Sequence, residues 1–154
     1  MILEIGADVL GEIHAHGESA YPDEGAGLLL GKAHGGLKQV DAILALPNVR
    51  EAGERRRRYL LTPQDYLHGE QEASRQGLDV LGVFHSHPDH PNRPSDFDRQ
   101  WAWPWFSYLI TSVQAGLATE SRSWRLSEDR GGFEEEQIVI KTLDKSRKDI
   151  HQSA

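Results

Sequence analysis

"VFHSHPDHPNRPSDFDR", Val83–Arg99, packs three of the chain's eight histidines, three aspartates and three prolines into seventeen residues. The stretch around its start, "LDVLGVFHSH", is apolar until its histidines and reads as a buried central strand whose C-terminal end carries His85 and His87. Side chains alternate faces along a strand, so two imidazoles two residues apart project to the same side and converge. Pro88, Pro91 and Pro94 then limit the freedom of the following loop and lower the entropy lost when it orders. The loop ends at Ser95-Asp96-Phe97-Asp98, a helix N-terminus with Ser95 as N-cap, a feature contributing about 1 kcal/mol. A third metal ligand is expected from this loop. The capping role and a ligand role are both open for Asp98, because a helix starting beside a metal would also hold that carboxylate in place.

Two histidines and one aspartate leave the fourth position of a tetrahedral zinc open to water, which a catalytic site requires. Zinc lowers the pKa of such a water toward about 7. Seven of the twelve aromatic residues lie between Phe84 and Tyr108, which would give the site apolar walls, and "WAWPWFSY" itself reads as core packing. His14 and His16 repeat the same spacing within a predicted helix, where a two-residue step is about 200° and turns the rings apart, so they read as surface histidines.

Outward from that stretch, "ILEI" reads as a short strand, "ADVLGEIHAHGESA" as the first helix and "YPDE" as a turn. "GAGLLLGK" is a buried strand, and "GGLKQVDAILALPN" its antiparallel partner in a hairpin. "RYLLT" is expected to be a strand, followed at Thr62-Pro63-Gln64-Asp65 by a capping box that opens a helix to about Gln76. "WFSYLITSV", "SWRLS" and "FEEEQIVI" supply three more strands, and 141–154 forms a polar tail. The sum is a single α/β domain with a mixed sheet.

At 154 residues the chain falls within the roughly 100–200 expected of one domain. No apolar run approaches the roughly 20 residues of a membrane span, and the N-terminus lacks the positive charge of a secretory signal, so a cytoplasmic protein is expected. Without cysteine, disulfides, iron–sulfur clusters and thiolate-ligated zinc are excluded. A net charge of −7 offers no general attraction to nucleic acid, and the one basic patch, Arg55–Arg58, is read either as a solvated loop or as a steering element for an acidic partner.

His85-Ser86-His87-Pro88-Asp89-His90 fits H-x-H-x-D-H and resembles the metallo-β-lactamase superfamily. That likeness demands further histidines well downstream, and after His90 there is only His151. Extended to Asp98, the same letters fit H-x-H-x7-S-x2-D, which resembles the JAMM (MPN-plus) zinc metalloproteases. The resemblance also selects Glu24 in "YPDEGAGLLLG", and "LPN", "YLLTP" and "PWFSYLITSV" look like further landmarks of that family.

It implies a single MPN-type α/β domain over residues 1–140, a curved mixed β-sheet flanked by helices in a cytidine-deaminase-like layout. His85, His87 and Asp98 would hold one catalytic Zn2+, Glu24 would shuttle the proton from the zinc-bound water to the leaving amine, and Ser95 would donate a hydrogen bond to the oxyanion. The short chain looks like the stand-alone bacterial branch, similar to peptidases that process sulfur-carrier proteins. The implied substrate is the bond after the C-terminal Gly-Gly of a ubiquitin-like or sulfur-carrier protein, joined to cysteine, a peptide extension or a lysine. A scaffold without metal is the non-enzymatic alternative. It would have lost one or more of these residues.

Overall fold

A computed structural model describes residues 1–47 and 61–142. Its elements run β1 (Ile2–Gly6), α1 (Ala7–Ala20), β2 (Ala26–His34), β3 (Leu37–Leu46), α2 (Pro63–Arg75), β4 (Asp79–Pro88), α3 (Asp96–Trp101), β5 (Ser107–Gln114), β6 (Leu117–Leu126) and β7 (Phe133–Lys141). The hairpin of β2 and β3, the helix after Thr62 and the strand ending in histidines fall where the sequence places them.

"RYLLT" departs from expectation at Leu61 and Thr62, which lie in no strand. Thr62 is committed instead to capping α2. Its hydroxyl accepts from Asp65 N, and the Asp65 carboxylate accepts from Thr62 N. Arg55–Arg58 and the rest of that expected strand lie outside the described residues, as does 143–154 of the tail. Trp105 and Phe106 also precede rather than join β5, because Phe106 N turns back to Trp103 O.

The expected curved sheet closes on itself. Its order is β1-β3-β2-β4-β5-β6-β7, and β1 runs parallel to both β3 and β7, so neither edge of that short strand is left open. Register shifts in β2–β3, β2–β4 and β5–β6 each insert an extra residue and bend the sheet. The shift opposite Leu29 and Leu30 has a further effect. Leu81 is the extra residue of β4 and joins Leu3, Ile5, Leu29, Val40, Phe84 and Leu109 on the inner face, against Val9, Leu10 and Ile13 of α1. Val83, two residues on, lies on the outer face with Leu28, Leu30, Tyr108 and Ala73 of α2. His85 and His87 follow Val83 outward. Among the described residues, no helix is long and apolar enough to cross a membrane.

β5 leaves no room for a side chain at Gly82 of β4, where an added Cβ would lie 2.0 Å from Ser107 O. Gly82→Ala should therefore lower the unfolding free energy by roughly 3 kcal/mol in denaturant titrations. Gly11→Ala, on an open face of α1, should raise it by up to about 1 kcal/mol.

Candidate metal centre

The pairing of β4 between β2 and β5 delivers both imidazoles to one outer surface, with ring centroids 4.9 Å apart. Asp98 reaches them from the third residue of α3, within its first turn. Its Oδ1 lies 3.5 Å from His85 Nε2 and its Oδ2 3.4 Å from His87 Nε2. The three ligand atoms fall within 4.8 Å of one another, and all three side chains are buried.

The donor set suits zinc. His87 Nδ1 lies 2.8 Å from Pro91 O, and since a carbonyl only accepts, Nδ1 carries a proton there and Nε2 is left as the atom that faces Asp98 and would ligate a metal. Burial pushes His85 down to about 3 against the opposing pull of Asp98, so its ring is neutral at physiological pH, as a ligand must be. Burial alone would push the Asp98 carboxyl up, but the His85 and His87 rings and the Ser95 N–H outweigh it and hold the group below the usual carboxylate range. Two imidazoles and one carboxylate are the hard and borderline donors that zinc accepts.

Ser95 and Asp98 satisfy both readings of the sequence. Ser95 Oγ accepts from Asp98 N at 3.1 Å, and Asp98 Oδ2 accepts from Ser95 N at 2.8 Å, a complete capping box. The cap uses only a lone pair of the exposed Ser95 hydroxyl, leaving its hydrogen to donate outward. Glu24 is buried in the turn before β2. Gly25 N donates to Ser86 Oγ and Gly25 O accepts from Ser86 N, so continuing the Ala26–His85 register by two residues sets Glu24 level with His87.

The loop between strand and helix is pinned by residues that its prolines do not reveal. Asp89, at φ 56°, accepts from Tyr21 Oη and Ala115 N, while its own N–H bonds Val113 O. His90 O accepts from Ser112 Oγ, Asn92 Nδ2 donates to Glu120 O, and Trp124 Nε1 donates to Asn92 O. Asp89 and His90 are thus loop anchors. At the far end of α3, Arg130 donates to the carbonyls of Arg99, Gln100 and Ala102. Nothing local in "EDRGG" announces that the arginine will cap another element.

Two sequence expectations need correction. "WAWPWFSY" is not simply core, because Trp101, Trp103 and Trp105 are 55%, 60% and 47% exposed while Ala102 and Tyr108 are buried. Trp103 N donates to Tyr108 Oη, and the segment turns at Pro104, so alternate indoles are lifted out of the core. With Leu61, Tyr66 and Phe97 they line a groove of about 920 Å³ that reaches Asp98. His14 and His16 do point apart, but both are half-buried rather than fully exposed. His14 contacts Ser121 Oγ at 2.9 Å, His16 packs edge-on to Phe84, and burial lowers the pKa of both.

A closed sheet with a His-x-His strand end facing a Ser-x-x-Asp helix cap is the site of a JAMM-type metallopeptidase. The model of prokaryotic homologues of the JAB domain matches residues 6–127, and the chain belongs to that family. A Thermus thermophilus protein named probable TtuB-protein conjugate cleaving protease is 30% identical over 79% of this chain and 80% of its own. A desampylase from Haloferax volcanii is 33% identical over 71% of this chain and 80% of its own. A solution structure from Desulfitobacterium hafniense superposes with TM-score 0.79 at 30% identity, covering 94% of this chain and 96% of that one. Family membership and the His85–His87–Asp98 cluster together make the chain a zinc metallopeptidase.

Because Arg130 holds the carbonyl end of the short helix that carries Asp98, Arg130→Met should cost about 1 kcal/mol of stability. It should also narrow the rise in Tm on adding zinc, measured by paired thermal melts with and without the metal.

Proposed function

We propose that His85, His87 and Asp98 hold one catalytic zinc and that Glu24 and Ser95 act beside it to hydrolyse the bond after the C-terminal Gly-Gly of a ubiquitin-like or sulfur-carrier protein. The observation that carries this reading is the buried convergence of two imidazoles and one carboxylate within 4.8 Å. When bound there, zinc supplies Lewis acidity that polarises a carbonyl and makes water nucleophilic near neutral pH. Glu24 accepts a proton from the attacking water and returns it to the leaving amine. Ser95 donates to the oxyanion as it forms, its hydroxyl oxygen held by the cap through a lone pair while its hydrogen stays available to donate. The products are the carrier's glycyl carboxylate and a free amine.

The groove of Trp101, Trp103 and Trp105 takes the extended tail of the carrier, since it opens onto Asp98 and offers apolar walls along its length. The name of the Thermus relative, a probable TtuB-protein conjugate cleaving protease, supports a carrier joined to another protein over a carrier–cysteine adduct. Residues 1–141 form the catalytic domain, one residue beyond the expected bound because Lys141 ends β7, cytidine-deaminase-like in its layout of β2, β4 and β5 between α1 and α2, and the rest is a polar tail. The setting is cytoplasmic.

Glu24→Gln should retain one zinc per chain by metal analysis while turnover of a carrier–lysine conjugate falls roughly 10²-fold or more. Asp98→Asn should lose the zinc itself, and normal turnover in the Glu24 variant would sink the assignment. Trp103→Ala should raise KM for the same conjugate several-fold with kcat retained. An unchanged KM would remove the groove from the substrate's path.

A further inference from the structure

Lys38 is a lysine with no exposed surface, set on the inner face of the closed sheet directly across from Leu3 of β1. Taking an ammonium out of water is costly, and a methionine of similar length would fill the space without that cost. Stability is therefore a poor reason for its presence. Its contacts give another. Nζ donates to the backbone carbonyl of Trp105 and to Ser107 Oγ, and it lies 4.3 Å from the centroid of the Trp105 ring. Trp105 belongs to the segment between α3 and β5, and its half-exposed indole is a wall of the groove beside Asp98.

We propose that Lys38 is a positioning residue for the substrate groove. From inside the barrel its ammonium fixes both the carbonyl and the indole of Trp105, and so sets how tightly the groove grips substrate, touching neither substrate nor metal. The inference rests on the reading of the groove as the tail's binding site.

The surroundings make this tether sensitive to pH. Burial pushes Lys38 down to about 8, against the pull of Glu136 on β7 and with the push of Arg125 on β6. Glu136 itself accepts from Ser123 Oγ. β1 faces Lys38 with Leu3, β2 with Ala33 and β5 with Ser107, none of which titrates. Below about pH 8 the lysine is a cation held over the indole, and above it both the charge-assisted bond and the cation–π attraction weaken.

The effect on global stability has the opposite sign. The folded pKa lies below the value of about 10.4 for a free lysine, so between these the unfolded chain binds more protons. The contribution of Lys38 to stability thus rises with pH over the same window in which the groove loosens. Unfolding driven by the titration of Lys38 therefore cannot mimic the loss of grip.

The test measures KM and kcat for a ubiquitin-like carrier joined through its Gly-Gly to a lysine peptide, from pH 7 to pH 9, for the zinc-loaded wild type and Lys38→Met. KM of the wild type should rise roughly three- to tenfold across the window. Lys38→Met should show the raised KM already at pH 7 and little further change, with kcat following that of the wild type at each pH. A variant that keeps the wild-type KM and its pH slope overturns the proposal.

Acrylamide quenching of indole fluorescence without substrate separates the two layers. It should increase from pH 7 to pH 9 in the wild type and lose that increase in Trp105→Phe. Quenching that responds while KM does not would overturn the proposal through the groove reading, and quenching that does not respond would overturn it at the tether. Should Lys38→Met fail to fold, the two pH series on the wild type and Trp105→Phe decide the matter.

Discussion

The carboxylate of Asp98 makes two commitments at once. One of its oxygens accepts the backbone N–H of Ser95 and closes the cap of α3, while the same group stands within 3.5 Å of both imidazole nitrogens. A carboxylate buried beside two rings would be costly if it were not hydrogen-bonded. The cap supplies that bond, and the helix it stabilises holds the third ligand where two strand residues already converge. The remainder of the site is arranged around this coupling. Asn92, Ser112 and Trp124 fix the loop that spans strand and helix, and Arg130 holds the other end of α3.

The sheet contributes direction. Without the extra residue at Leu81, Leu81 and Val83 would share a face, and the core of α1 and the core of α2 could not both be filled from β4. With it, β4 packs α1 through Leu81 and Phe84 and still carries Val83, His85 and His87 on its outer surface. Closure through β1 gives the barrel an interior where a lysine can be buried, and the Trp105 segment is fastened to that interior rather than to the metal side. The carboxylate that faces the two imidazoles and the walls of the tryptophan groove therefore depend on different anchors along one stretch, 95–107.

Most of the metal centre was legible in the letters. Strand alternation brings His85 and His87 together, Ser-x-x-Asp after a proline makes a helix cap, and the absence of cysteine restricts the donors to imidazole and carboxylate. Those rules are local, and they survive any tertiary context that keeps the strand and the helix. Glu24 was not legible by such rules. Only its likeness to a family pattern separated it from the other acidic residues, because what sets it beside His87 is the antiparallel register of β2 on β4, a pairing some sixty residues distant in sequence.

The sequence by itself determined the strand that ends in two imidazoles, the capped helix that follows and the chemistry those donors permit, since each depends on neighbours only a few residues apart. Tertiary structure alone decided that the sheet would close, that three tryptophans read as core would open into a groove, and that Lys38 and Arg130 would brace it from elements remote in the chain. These outcomes depend on which strand edges find each other and on which carbonyls are left without partners once they do, quantities that no local pattern of residues encodes.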